Sequence, residues 1–220
     1  MRKAISSLIL GAALTTAPSS AIADPILMAG DSVVFADGSG TTGGGEFIVT
    51  INNAWSFVTF CLQRTEYVSF GPTFTVDSVN PYTLTDPAAQ GGDQFGRDHI
   101  SSQTAFLYTQ FRDGTLSGYR YTGSGHTASA NDLQNAFWMF EQELPMNTAN
   151  RFVQLANSEV SSGRWSGLGD VQVMNLSRRG VEAQDQLAMA PVPEPASLFL
   201  LGSGLCAAAI RRRRQTTSSR

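Results

Sequence analysis

The chain has 220 residues, 42% of them hydrophobic and 15% charged, with a formal net charge of −3. That is length and apolar content enough for one domain with a real core. Its two cysteines exclude a disulfide framework and a cysteine-rich zinc site. The charge is also unevenly spread: positions 24 to 195 hold 8 arginines, no lysine and all 18 acidic residues, a formal −10. So acidic a segment stays soluble and argues against nucleic acid or anionic lipid as its partner.

In chain order, the first 23 residues combine Arg2 and Lys3, an apolar stretch over 5 to 14, and Ala21-Ile22-Ala23 ahead of Asp24. This is the layout of a secretory signal peptide cleaved after Ala23. The stretches 31–35, 46–51, 55–62 and 65–76 are rich in Val, Ile, Phe, Thr and Tyr and are separated by turn formers, so they read as strands. Between the first two, "DGSGTTGGG" (37–45) reads as a flexible loop; it lacks the Lys and Ser/Thr that phosphate cradling would require.

Within "TFCLQRTEY" (59–67) stands Cys61, the only cysteine outside the terminal segments, since Cys206 lies near the C-terminus. Four readings of it are open: an inert thiol buried between Phe60 and Leu62, an intermolecular disulfide, a catalytic nucleophile, or a thiol consumed in another covalent bond. Residues 80–100 read as a turn-rich connection, in which Asp93, Asp98 and His99 show no recognisable metal-ligand spacing. We expect no cofactor and no metal.

The stretch 101–111 predicts a helix from Ser102, capped by Ser101 or Ser102, with Ala105, Tyr108 and Phe111 on one face. A second helix is expected over "NDLQNAFWMFEQELP", where Leu133, Ala136, Phe137, Phe140 and Leu144 form an apolar stripe and Pro145 ends it. With Asn131 as N-cap, Gln134 would complete a capping box. A third helix follows, capped by Thr148, buried through Phe152, Leu155 and Ala156, and stopped near Gly163. Strands around 170–176 and 183–190 complete an α+β domain: a single β-rich domain over 24–190 with a helical insertion.

The C-terminal segment, 191–220, places Pro191, Pro193 and Pro195 before an apolar stretch over 196–210 and then Arg211, Arg212, Arg213 and Arg214. The prolines favour an extended, accessible conformation. Fifteen apolar positions span about 22 Å as a helix, short of the roughly 30 Å of a hydrocarbon core. The arginines extend the reach by snorkelling and hold their end in the cytoplasm.

This segment resembles the PEP-CTERM sorting tail of Gram-negative bacteria that make extracellular polysaccharide, with Pro193, Glu194 and Pro195 as the sorting motif and the four arginines as the membrane-side cluster. The resemblance implies an exosortase and the export machinery as partners. It also implies transient anchoring in the inner membrane and delivery to the cell surface or the extracellular biofilm matrix.

"FCL" (60–62), "LQNAFW" (133–138) and a late glutamine on the last strand resemble, in that order, the motifs of bacterial thioester domains. In that family the cysteine joins the late glutamine as an internal thioester that captures amines, a binding function and not an enzymatic one. The resemblance implies Cys61 as the thiol, Gln186 as acyl partner ahead of Gln184 and then Gln172, and Gln134, Ala136 and Trp138 as supporting motif residues. Gln134 would orient the thiol and Trp138 shield it, with His99 or His126 as candidate proton carriers. An amine-bearing surface or matrix target, or a polysaccharide, would be the partner in adhesion. The pattern departs from the family at Leu133, where it has Thr, at Phe137, where it has Ile or Val, and in the sorting tail, because such domains are best known on Gram-positive adhesins.

A chain without lysine between 24 and 195 offers such an electrophile no ε-amine of its own. The competing expectation is a non-covalent structural or matrix protein with an inert buried cysteine. A cysteine hydrolase using His99 or His126 lacks a local signature.

Overall fold

The computed structural model describes residues 27–41, 43–84 and 92–189. The expected signal peptide (1–23) and sorting tail (191–220) lie outside the described residues, as do both boundaries of the expected domain. Among the described residues, no helix is long and apolar enough to cross a membrane.

Among the described residues, eight strands form in chain order: β1 (Ser32–Asp37), β2 (Phe47–Ile51), β3 (Trp55–Thr59), β4 (Thr73–Asn80), β5 (Tyr82–Leu84), β6 (Arg97–His99), β7 (Val171–Arg178) and β8 (Val181–Met189). Three helices, α1 (Ser102–Arg112), α2 (His126–Phe140) and α3 (Arg151–Ser161), stand between β6 and β7. The architecture is the expected α+β domain: a six-stranded antiparallel sheet in the order β3-β2-β1-β4-β7-β8, a small β5-β6 sheet, and a helical insertion.

Local chemistry accounts for the elements. Alternation in β1 and β2 sends Val33, Phe35, Phe47, Val49 and Ile51 to one buried face, and the register Val33↔Ile51 and Phe35↔Val49 stacks them. Arg179 and Gly180, at φ 55° and 76°, turn β7 into β8 with the handedness that suits strand twist. Ser101 Oγ accepts from Thr104 N at the start of α1. Ala105, Tyr108 and Phe111 are all buried, as their spacing predicts.

The sheet curls until its two outer strands meet. Just past β3, Leu62 N donates to Asp185 O (3.0 Å) and Leu187 N to Phe60 O (3.0 Å), around an antiparallel bridge between Cys61 and Gln186. Thr59 Oγ1 adds a bond to Leu187 O. This seam satisfies the edges of β3 and β8, which would otherwise present unpaired backbone groups.

Two buried clusters result. One contains Val33, Phe35, Val49, Phe57, Phe74, Met174, Leu176, Cys61 and Trp138. The other lies between the sheet and the helices, where Phe60 meets Phe111 (5.0 Å between ring centroids) and Phe137 (5.2 Å).

Several expected boundaries move. The stretch 65–76 is irregular until Thr73, and its strand runs on to Asn80. Residues 55–62 split into β3 and an isolated bridge at Cys61. The connection 80–100 contains β5 and β6. Helix α2 begins five residues before Asn131 and ends at Phe140, well short of Pro145, where Gln142 at φ 64° turns the chain out of helical geometry. Asn150, not Thr148, caps α3, accepting from Phe152 N (2.8 Å) and Val153 N (3.3 Å).

Candidate functional site

The flanking hydrogen bonds determine how Cys61 faces Gln186. In an antiparallel pair, bonds running from i+1 to j−1 and from j+1 to i−1 define the non-hydrogen-bonded pair, whose Cα atoms are only about 4.5 Å apart and whose side chains are closest. Cys61 and Gln186 are such a pair. Both are fully buried. Met174, opposite Gln186 on β7, closes the same face from the other side.

This pairing leaves the Cys61 carbonyl pointing away from β8, so it needs another donor. Gln134 supplies one: its Nε2 donates to Cys61 O at 2.8 Å, while its Oε1 accepts from Cys61 Sγ (3.4 Å) and from Gly45 N (3.2 Å). Because α2 starts at His126, Gln134 is interior to the helix and makes no capping box; its carboxamide turns inward to the cysteine. Trp138, one turn later on the same side of the helix, joins the cluster that holds Cys61. Leu133, Ala136 and Phe137 pack into the other cluster instead. The spacing of Gln134 and Trp138 therefore puts both over the seam, and Ala136 serves packing.

The expected flexible loop is instead seated on α2. Thr41 N donates to Asn131 Oδ1 (2.7 Å), Asn131 Nδ2 to Thr41 Oγ1 (2.8 Å), and Gly45 N to Gln134. At Gly44 a Cβ would fall 2.8 Å from Trp138 Cη2 and 3.0 Å from Gln134 Cγ, so only glycine lets the loop lie this close. The run "GGG" over 43–45 is the signal for this close approach, which the reading of 37–45 as a flexible loop misses.

The remaining glutamines separate clearly. Gln184 Oε1 accepts from Gln186 Nε2 (3.3 Å), and its own Nε2 donates to Gln63 O (2.7 Å). Gln63, absent from the sequence expectations, also accepts from Asp185 N (3.0 Å). Gln172 is half-buried opposite Ala188 on β7, with β8 between it and Cys61. The structure thus gathers Cys61, Gln186, Gln184, Gln134 and Trp138, and leaves Gln172 outside.

Electrostatically the site is dry and unfavourable to charge. Burial pushes the Cys61 thiol well above the ordinary range, against its own backbone N–H and the Trp138 indole N–H, which bears on the sulfur without completing a hydrogen bond, and Glu143 adds to the rise. Burial likewise raises Asp185, whose carboxylate accepts from Leu176 N (2.9 Å) and Leu84 N (3.2 Å). The candidate proton carriers are engaged elsewhere. His126 Nε2 lies 2.8 Å from Glu46 Oε1, and His99 packs against Tyr82. Among the described residues, no group of His, Cys, Asp or Glu side chains could hold a metal.

Two buried polar atoms here have no partner among the described residues: Gln186 Oε1 and Trp138 Nε1. A thiol and a carboxamide face each other across one strand pair, with an unpaired acyl oxygen on one and an unpaired indole donor nearby.

Residues 191–214 match the PEP-CTERM protein-sorting motif. That motif marks an exported protein with a C-terminal sorting tail whose processing partner is an exosortase. Neither the curated proteins nor the solved structures contain a match to the chain.

Proposed function

We propose that the exported domain closes an internal thioester between Cys61 Sγ and Gln186 Cδ and uses it to bind a target covalently. Each molecule reacts once, so this is capture and not turnover. In closure the sulfur attacks Cδ, the C–N bond breaks, and the thiol proton departs with the nitrogen as ammonia. An amine on the target then attacks the same carbon, forming an amide and returning the thiol. Before processing, the tail anchors the chain in the inner membrane with the domain outside. Afterwards the domain meets an amine-bearing or polysaccharide target at the cell surface or in the matrix.

The observation that supports this reading is the non-hydrogen-bonded pairing of Cys61 with Gln186, which brings thiol and carboxamide as close as a sheet allows. Burial adds support, because keeping water out protects an acyl-sulfur bond from hydrolysis before a target arrives. Gln186 is preferred to Gln184, which bonds the nitrogen that would leave, and to Gln172 on the far side of β8.

The same burial favours a second reading, an inert core cysteine in a non-covalent matrix protein. Peptide mass analysis of the purified, never amine-exposed full chain separates the two. The thioester predicts a linked pair of peptides carrying Cys61 and Gln186, lighter by one ammonia, which methylamine resolves into a free thiol and a methylamide on Gln186. A free Cys61 beside an unmodified Gln186 would leave the matrix reading standing.

A further inference from the structure

The thioester reading leaves Trp138 as a large apolar shield, and its indole nitrogen has no part in that role. A buried N–H without an acceptor costs free energy comparable to a lost hydrogen bond. In a native structure such a group calls for an explanation, and a catalytic role is one. Here an orphaned donor and an orphaned acceptor both belong to neighbours of Cys61: the Trp138 indole shares its buried cluster and bears on its thiol, and Gln186, which carries the unpaired Oε1, is its strand partner.

We propose that the Trp138 indole N–H is the oxyanion donor of this site: it donates to Gln186 Oε1 and stabilises the charge that develops there as the sulfur adds to Cδ, and it holds the acyl oxygen of the finished thioester. This rests on the thioester reading above.

Sulfur addition turns the carboxamide carbon tetrahedral and moves an electron pair onto Oε1. Trp138 donates a hydrogen bond to that oxygen and keeps its proton. Collapse returns the pair to carbon as the C–N bond breaks, and the nitrogen leaves as ammonia with the thiol proton. The departing nitrogen is already held by Gln184, through Gln186 Nε2 to Gln184 Oε1 (3.3 Å) and to Gln184 O (3.4 Å). Gln134 fixes the cysteine from the other side. Each end of the reacting carboxamide then has its own partner: Gln184 for the nitrogen, Trp138 for the oxygen.

The donor is also fixed in place. Gly44 lies against the Trp138 ring so closely that a Cβ there would fall 2.9 Å from Cζ2. A donor held before charge develops needs no reorganisation at the moment of reaction, which is what makes such groups effective.

A shield and an oxyanion donor predict opposite signs for the same substitution. Trp138→Phe removes the N–H and loosens the cover. As an oxyanion donor, its loss slows thioester closure in newly synthesised full chain, followed by peptide mass against time. It slows methylamine capture as well, because both reactions pass through the same tetrahedral carbon; each should fall on the order of 100-fold. As a shield alone, its loss leaves closure unchanged and speeds methylamine and water attack, and that result overturns the proposal while the thioester stands. Absence of ammonia loss in the wild-type chain overturns both.

A second measurement does not depend on the Phe variant folding. Among the chain's three tryptophans, the Trp138 indole proton, identified by substituting the other two, should lie downfield in the wild-type thioester and move upfield in Gln186→Met. An indole signal indifferent to Gln186 would refute the assignment.

Discussion

Gln134→Leu, made in a Cys61→Ala background, tests whether the Gln134 carboxamide is a structural requirement of the seam independent of any covalent bond. Without the thiol no thioester forms, so stability reports the hydrogen bonds alone. The carboxamide satisfies two buried backbone groups, Cys61 O at 2.8 Å and Gly45 N at 3.2 Å. Leucine fills similar volume and satisfies neither. Each buried backbone group left without a partner costs about 1–3 kcal/mol. Removing a polar side chain from a fully buried position returns part of that, so we expect a net loss of about 3 kcal/mol. Urea unfolding, followed by tryptophan fluorescence, should show a lower midpoint at an unchanged slope. A loss below about 1 kcal/mol would refute the argument, because the loop and the Cys61 carbonyl would then have found other partners at little cost.

Burial raises Glu141 from its ordinary 4.5 to about 7, against the opposing bonds from Thr104 Oγ1, Ser101 N and Ser101 Oγ. The folded state therefore keeps a proton that the unfolded chain releases between those values, so stability should fall by about 3 kcal/mol as pH rises through that window. Glu141→Gln retains an oxygen for all three bonds and should flatten this part of the stability-pH curve; an unchanged slope would assign it to other groups, such as Asp98, which burial and Glu143 push up to about 6. Gly44→Ala should cost about 1–3 kcal/mol by overpacking against Trp138. It should also speed hydrogen exchange at Gly45 N, whereas wild-type exchange there would mean the loop is not seated as described.

Elements written in local chemistry were legible in the chain itself. The Val-, Ile- and Phe-rich runs of β1 and β2, the apolar stripe of α2 and the Ser101 cap each depend on neighbours within a few positions, and each predicts the type of element that forms. Ends failed where a distant contact decided them. Helix α2 starts at His126 because Ser129 and Ala130 bury against the rest of the fold, and no residue between 126 and 130 signals that from sequence.

The sorting motif is equally local, because a processing enzyme reads it as a short segment, and the amino-acid order alone places it in 191–220, of which residues 191–214 match the motif. The site is the opposite case. Three glutamines qualified as partners of Cys61 by residue type and strand position. Choosing among them needed the register of β8 beside residues 60–62, which depends on closure of the whole curled sheet. A shift of one residue would have turned Gln186 to the other face and brought Asp185 or Leu187 opposite the thiol. The same closure left the Cys61 carbonyl without a strand partner and so gave Gln134 its inward role, where local reading had an equally good helix cap. Residue types set which chemistry was available at these positions; only tertiary packing, by setting the register between distant strands and covering the seam with a glycine loop, decided which of those groups meet.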